Sequence, residues 1–312
     1  MGLVLNAIDL ILVEKKRSKL EFNNKDILIM GYQDIYFSKS DIRNLYKHHS
    51  IESIYVEDSK KKDVQLLDLF KDLGFRNVDV LDNSDYEGAN IIIDMNKKNE
   101  DKSLKSNYDF ILDWGTIEHV FHVPNYISNI YDFLKKDGYY YGVTPMSGWV
   151  EHGFYQFSPV FFRDGFKDEW EKVFLKILNF KVNSMMDDWH ILSYDYNDMH
   201  RYAMGGFDDQ LYQSYFLFKK KLISKKENNI QQSHFENRWN KSEIKKNIPL
   251  SRNQNKKNIK DFIINFINFF MRLFNYKVSI NRFSHKSNSC DSILREFKEF
   301  TINAYKKIES KK

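Results

Sequence analysis

The chain has 312 residues, 42% of them apolar and 16% aromatic, which is enough to bury a full core and excludes a disordered protein. Residues 219–312 hold 23 basic and 8 acidic side chains, while residues 1–218 hold 25 and 35, so an acidic body carries a basic tail. The lone Cys290 excludes an internal disulfide framework and a thiolate metal site, which fits a reducing, cytoplasmic compartment.

Leu3, Leu5, Ile8, Leu10, Ile11 and Val13 recur near helical spacing and predict a helix within residues 2–20, lying across a sheet. No leader is expected there: a basic lead-in and a small-residue cleavage site are missing, and Asn6 stands where a myristoylation motif has Ser or Thr. Residues 26–31, an apolar run ending in Gly31, predict the first strand. Ser38 or Ser40 caps a helix that turns Ile42, Leu45 and Tyr46 inward. Residues 51–56 read either as an extra strand or as an irregular excursion. Val64, Leu67, Leu69 and Phe70 predict a helix over 61–73, stopped by Gly74. Residues 78–82 and 90–94 predict the second and third strands, ending in Asp82 and Asp94.

Residues 108–157 organise the rest. A buried strand at 110–112, a polar loop, a helix over 125–134 opened by Pro124 and ended by Asp137-Gly138, a strand over 139–143 and a second polar loop predict a right-handed parallel βαβ unit. Ligands of such units collect at the carboxyl ends of the strands. Residues 113–122 and 144–155 lie there, crowded with acids, imidazoles and aromatic rings. Glu118, His119 and His122 raise the question of a metal, but zinc signatures on helices need i, i+4 spacing or an added distant ligand with the right geometry, and this segment reads as a loop, so no metal is expected. Ser158-Pro159 starts another helix, residues 174–182 and 211–219 predict the last strands, and residues 185–207, with His190 and His200, read as a long loop over the acceptor.

The order of a strand, D-x-G-x-x-E-H, a helix ending in L-K-K-D-G, and an aromatic strand ending in T-P resembles the second half of a class I S-adenosylmethionine-dependent methyltransferase. Asp113-Trp114-Gly115-Thr116-Ile117-Glu118-His119-Val120-Phe121 and His152-Gly153-Phe154-Tyr155-Gln156-Phe157-Ser158-Pro159 are more closely similar to a bacterial branch of methyltransferase-like proteins. Over roughly residues 1–220 the resemblance implies an α/β, Rossmann-like fold: a seven-stranded, mostly parallel sheet, its last strand antiparallel, with helices on both faces. It implies S-adenosylmethionine as cofactor, with Gly31, Gln33 and Asp34 at its amino acid end and Asp82 on the ribose, since a carboxylate offers two acceptors to two adjacent hydroxyls, although in its Asp-Asn-Ser-Asp loop Asp82 also reads as an ordinary turn former. Asp94 would take the adenine amino group, and Met95 would either pack on the ring or fill the core. Asp113 and Trp114 would lie beneath the methyl group, with His119 or His152 as base. Glu118, His122, Trp149, Tyr155 and Gln156 would line the acceptor site, although Trp149 and Phe157 also read as loop packing.

The expected reaction is O- or N-methylation of a small molecule or a glycan or lipid-linked acceptor, with no nucleic acid as partner. The cofactor turn has one glycine, Gly31, where the general family has several, and a side chain at the other places fills the space or opens the turn. The alternative is therefore an inactive scaffold working through its tail. By composition the domain spans 1–221, a basic polar linker 222–257 and an amphipathic helical tail 258–312. Residues 261–274 are too short and polar to span a bilayer, which takes ~20 apolar residues. Residues 258–277 read either as an interfacial helix at the inner membrane face or as a helix docked on the domain or a second subunit.

Overall fold

The structure is a computed structural model and describes residues 2–180, 188–199, 210–221, 230–233 and 299–302. Most of the linker and most of the tail, with the expected membrane or docking helix at 258–277, lie outside the described residues, as does His200.

Among the described residues one sheet has nine strands in the order β11-β9-β8-β10-β7-β6-β2-β4-β5. These are β2 (Asp26–Met30), β4 (Asn77–Asp82), β5 (Ile91–Ile92), β6 (Tyr108–Trp114), β7 (Leu134–Ser147), β8 (Trp170–Phe180), β9 (Trp189–Ser193), β10 (Leu211–Lys220) and β11 (Glu299–Ile302). The block β5-β4-β2-β6-β7 is parallel, and β10 pairs antiparallel with both β7 and β8. The expected seven strands are thus present, and β9 and β11 extend the β8 edge. β9 lies in the stretch read as a loop, and Glu299–Ile302, in the tail expected to be helical, form an edge strand. β1 (Gly2–Leu3) and β3 (Asp34–Ile35) pair separately.

Helices cover both faces. α1 (Leu5–Arg17), α2 (Lys39–His49) and α4 (Leu66–Asp72) pack Ile8, Leu45 and Phe70 with Ile27, Ile29 and Phe110 in one core. α5 (Val123–Phe133) and α6 (Pro159–Gly165) pack Tyr126, Ile130 and Phe162 with Leu28, Met30 and Ile111 in the other. Alternate residues of β2 and β6 therefore enter opposite cores, as strands buried on both faces require. The Ser38 side chain caps α2 in a reciprocal capping box with Asp41. Residues 51–56 hold no strand, and Tyr55–Asp58 form a short helix, α3. The helix expected over 61–73 is confined to α4. α5 ends at Phe133 rather than at Asp137-Gly138, because Leu134 already pairs with Tyr108 as β7 begins.

Candidate functional site

The chain runs from β2 outward through β4 to β5 and returns to β6 and β7 on the other side of β2. The order reverses between β2 and β6, and a crevice opens at the carboxyl ends of such strands. Gly31 follows β2 with φ +69, a conformation that costs other residues energy. Its N–H donates to Leu81 O at 2.8 Å, and a Cβ there would stand 2.8 Å from Thr116 Oγ1, which donates to Met30 O at 2.7 Å. The loop after β6 is thereby laced to the turn after β2.

Gln33, 1% exposed, folds under this turn. Its Nε2 reaches Gly31 O at only 3.4 Å, and its buried Oε1 has no hydrogen-bond partner. Asp34 belongs to β3 with an exposed side chain, away from the buried groups of the turn. Asp82 ends β4. Tyr32 N–H donates to its Oδ2 at 3.1 Å and Asn83 N–H to its Oδ1 at 2.6 Å, which leaves one lone pair on each oxygen for a ligand.

Other expected site residues have partners within the protein. Asp94 Oδ1 accepts from the Asn96 backbone and side-chain nitrogens, both at 3.0 Å, and Oδ2 pairs with Lys97 at 3.2 Å; these partners hold its carboxyl below the usual range. Met95 is core filling, with Asn129 Nδ2 3.7 Å from its sulfur. Asp113 is fully buried beneath the site: Tyr140 and Tyr126 hydroxyls donate to Oδ2 at 2.6 and 2.8 Å, and Thr116 N–H donates to Oδ1 at 2.8 Å. Burial still raises its pKa against those bonds. Trp114 packs against Tyr141 in the core. The His122 ring caps α5, its Nδ1 accepting from Asn125 N–H at 3.3 Å. Asp94, Met95, Asp113, Trp114 and His122 thus have local or core partners, with Met95 in the core-filling place that its sequence also allowed, while Asp34 is exposed.

A second cluster forms where the two motifs meet. Glu118 and His119 lie in a 3-10 turn after β6, and His152 in the loop after β7. Phe154 N–H donates to Glu118 O at 2.8 Å and pins the loop to that turn. Gly153 permits the approach, since a Cβ there would lie 2.9 Å from Glu118 O. Glu118 is fully buried; Thr144 Oγ1 donates to its Oε2 at 3.0 Å, while Oε1 has no hydrogen-bond partner and stands 3.7 Å from His152 Nε2. Burial and the nearby Asp113 push the Glu118 carboxyl up to about 8. Burial lowers the pKa of His152, and burial with the neighbouring His152 lowers that of His119, so both rings are neutral at pH 7. The two rings are 5.2 Å apart. Trp149 anchors the loop, donating from Nε1 to Tyr212 O at 2.9 Å, and Tyr155 OH donates to Phe121 O at 2.8 Å. Gln156 is exposed, and Phe121 and Phe154, each 66% exposed, meet edge to face nearby. The pairing of Glu118 with His152 was not expected from the sequence; the only signal was their place in two loops following adjacent strands.

The doubly wound sheet with its switch-point crevice, together with the match to a methyltransferase family model, makes this a class I, S-adenosylmethionine-dependent methyltransferase. Residues 62–215 match the model of the methyltransferase domain family. The match begins beyond Gly31, Gln33 and Asp34.

Among solved structures, the YcgJ protein from Bacillus subtilis is similar at 9% identity and a TM-score of 0.39, over 69% of this chain and 97% of its own. A putative S-adenosylmethionine-dependent methyltransferase from Listeria monocytogenes is similar at 10% identity and 0.35, over 67% and 97%. Haemonchus contortus phosphoethanolamine N-methyltransferase 1, in complex with phosphoethanolamine and S-adenosylhomocysteine, is similar at 13% identity and 0.35, over 77% and 48%. No curated protein matches the chain. The turn residues suit the cofactor: the partnerless buried Gln33 Oε1 is an acceptor of the kind its ammonium group needs.

Proposed function

We propose that the protein methylates an oxygen or nitrogen of a small-molecule acceptor, free or carried on a glycan or lipid. S-adenosylmethionine supplies a methyl group on a sulfonium sulfur, so the protein must place the acceptor in line and receive its proton. Gly31 and Gln33 hold the amino acid end, and Asp82 accepts from the ribose hydroxyls. His152 or His119, neutral and adjoining the crevice, takes the proton from the acceptor. The observation that carries this reading is the meeting of Glu118, His119 and His152 at the carboxyl ends of β6 and β7, next to the switch point. The exposed rings of Phe121 and Phe154 favour an acceptor with an apolar portion.

No helix among the described residues is long and apolar enough to cross a membrane. We place the reaction in the cytoplasm on the single cysteine, and propose no nucleic acid partner because the body is acidic. Calorimetric titration of the full chain with S-adenosylmethionine and S-adenosylhomocysteine should give one site; a well-folded protein that binds neither would overturn the reading. With an acceptor in hand, His152→Ala should lower turnover by about 10²–10⁴-fold without weakening cofactor binding.

A further inference from the structure

We propose that Glu118, His119 and His152 form a binding site for a divalent transition-metal ion. Their donor atoms all lie within 4.8 Å of one another, and they supply one carboxylate oxygen and two imidazole nitrogens. Two histidines and one glutamate are a set that catalytic zinc sites use, with further positions left open for water or substrate. An ion about 2.0–2.2 Å from each donor would hold the donors roughly 3.3 Å apart, so the cluster has to contract by up to about 1.5 Å at its widest.

The buried Glu118 carboxyl group is already positioned for this. Thr144 Oγ1 donates to Glu118 Oε2 at 3.0 Å and fixes the group, while Oε1, the atom nearest His152, has no hydrogen-bond partner although the residue is 0% exposed. A hydrogen bond to the non-ligating oxygen is how metal sites orient a carboxylate. The His152 loop is held to Glu118 by backbone bonds from Phe154 at 2.8 Å and Tyr155 at 3.3 Å, and Gly153 leaves no side chain between them. His119 closes the cluster from the solvent side, where its ring is exposed, so open coordination positions would face water and an incoming acceptor.

Such an ion would take over the part given above to the imidazoles. It would bind an acceptor hydroxyl oxygen and lower its pKa, and the hydroxyl proton would leave to solvent. Its use, though not its binding, rests on the methyl-transfer reading, and the favoured acceptors are molecules that offer an oxygen donor.

The test uses the full chain, stripped with a chelator and titrated with ZnCl₂ and, separately, MnCl₂, with no methyl donor present. His119→Gln, a change at an exposed position, is compared by the same titration, and Glu118→Gln is added with circular dichroism to verify its fold. One equivalent should bind, with affinity reduced at least about 100-fold in folded His119→Gln, a loss at the upper end of that seen for outer-shell changes. No binding, or equal binding by wild type and folded His119→Gln, would overturn the site and leave Glu118 and His152 as a proton-sharing pair. S-adenosylmethionine titrated in the same cell separates the two readings: ion bound and cofactor refused sinks the methyltransferase assignment alone, whereas cofactor bound with no ion sinks the metal site alone.

Discussion

Asp82 and Asp113 both end strands of one sheet, each after an apolar run, and they do opposite things. Asp82 keeps a lone pair free on each oxygen, while Asp113 Oδ2 is taken by two tyrosine hydroxyls and its Oδ1 by the Thr116 backbone. Local sequence does not separate them, because the difference lies in Tyr126 and Tyr140, which only the packing of α5 and β7 brings to Asp113. The same holds for His119, His122 and His152: the spacing of residues 118–122 draws attention to His122, yet the fold uses that ring as a helix cap and brings in His152 from another loop. Gly31 and Asp82 were legible because the strand ends that place them are local features. Asp82→Ala should weaken S-adenosylmethionine binding about 10–100-fold, the worth of one or two hydrogen bonds to a charged group. The fold should persist, and unchanged affinity by calorimetry would remove Asp82 from the ribose.

At the scale of elements, Asp113 joins β6, α5 and β7 through one carboxylate. Tyr140→Phe removes the shortest of these bonds and leaves a buried acceptor partly unsatisfied, at a cost of about 1–3 kcal/mol. Urea unfolding should show that loss, with an unchanged slope if the native fold is kept. The parallel strands were readable because each is a short apolar run between polar turns, and the capping box of α2 is written in consecutive residues. β9 was not readable: its five residues sit within a polar stretch, and what makes them a strand is the exposed edge of β8. β7 starts five residues earlier than its apolar run suggests, since pairing with Tyr108 draws Leu134 directly from helix to strand.

Across the whole molecule, the two ends of the sheet are built for different purposes. The carboxyl ends hold the crevice, whereas the amino ends hold a charged network in which Asp26 pairs with Arg76 and with Lys135 at 2.9 Å, and Lys135 also pairs with Asp109 at 2.7 Å. A polar cavity of about 340 Å³ beside Asp26 and Arg76 belongs to this end and not to the site. Burial would raise both carboxyls, but their cationic partners outweigh it and hold them below the usual range. With folded values depressed, the unfolded chain takes up protons first on acidification, so this stabilisation is complete above about pH 5 and is lost as the pH falls below about 4. The urea midpoint should drop between pH 6 and 3, and less steeply in Lys135→Met; equal slopes would show that other groups set the acid limit. β11 carries a different consequence, one of timing. Ribosomes add roughly 5–20 residues per second, so the stretch of roughly a hundred residues between β9 and β11 takes on the order of 5–20 s to emerge, and during that time β9 presents an unpaired rim to other nascent chains. Chains arrested before Glu299 should accordingly associate more than completed ones, as sedimentation of stalled and released products would show.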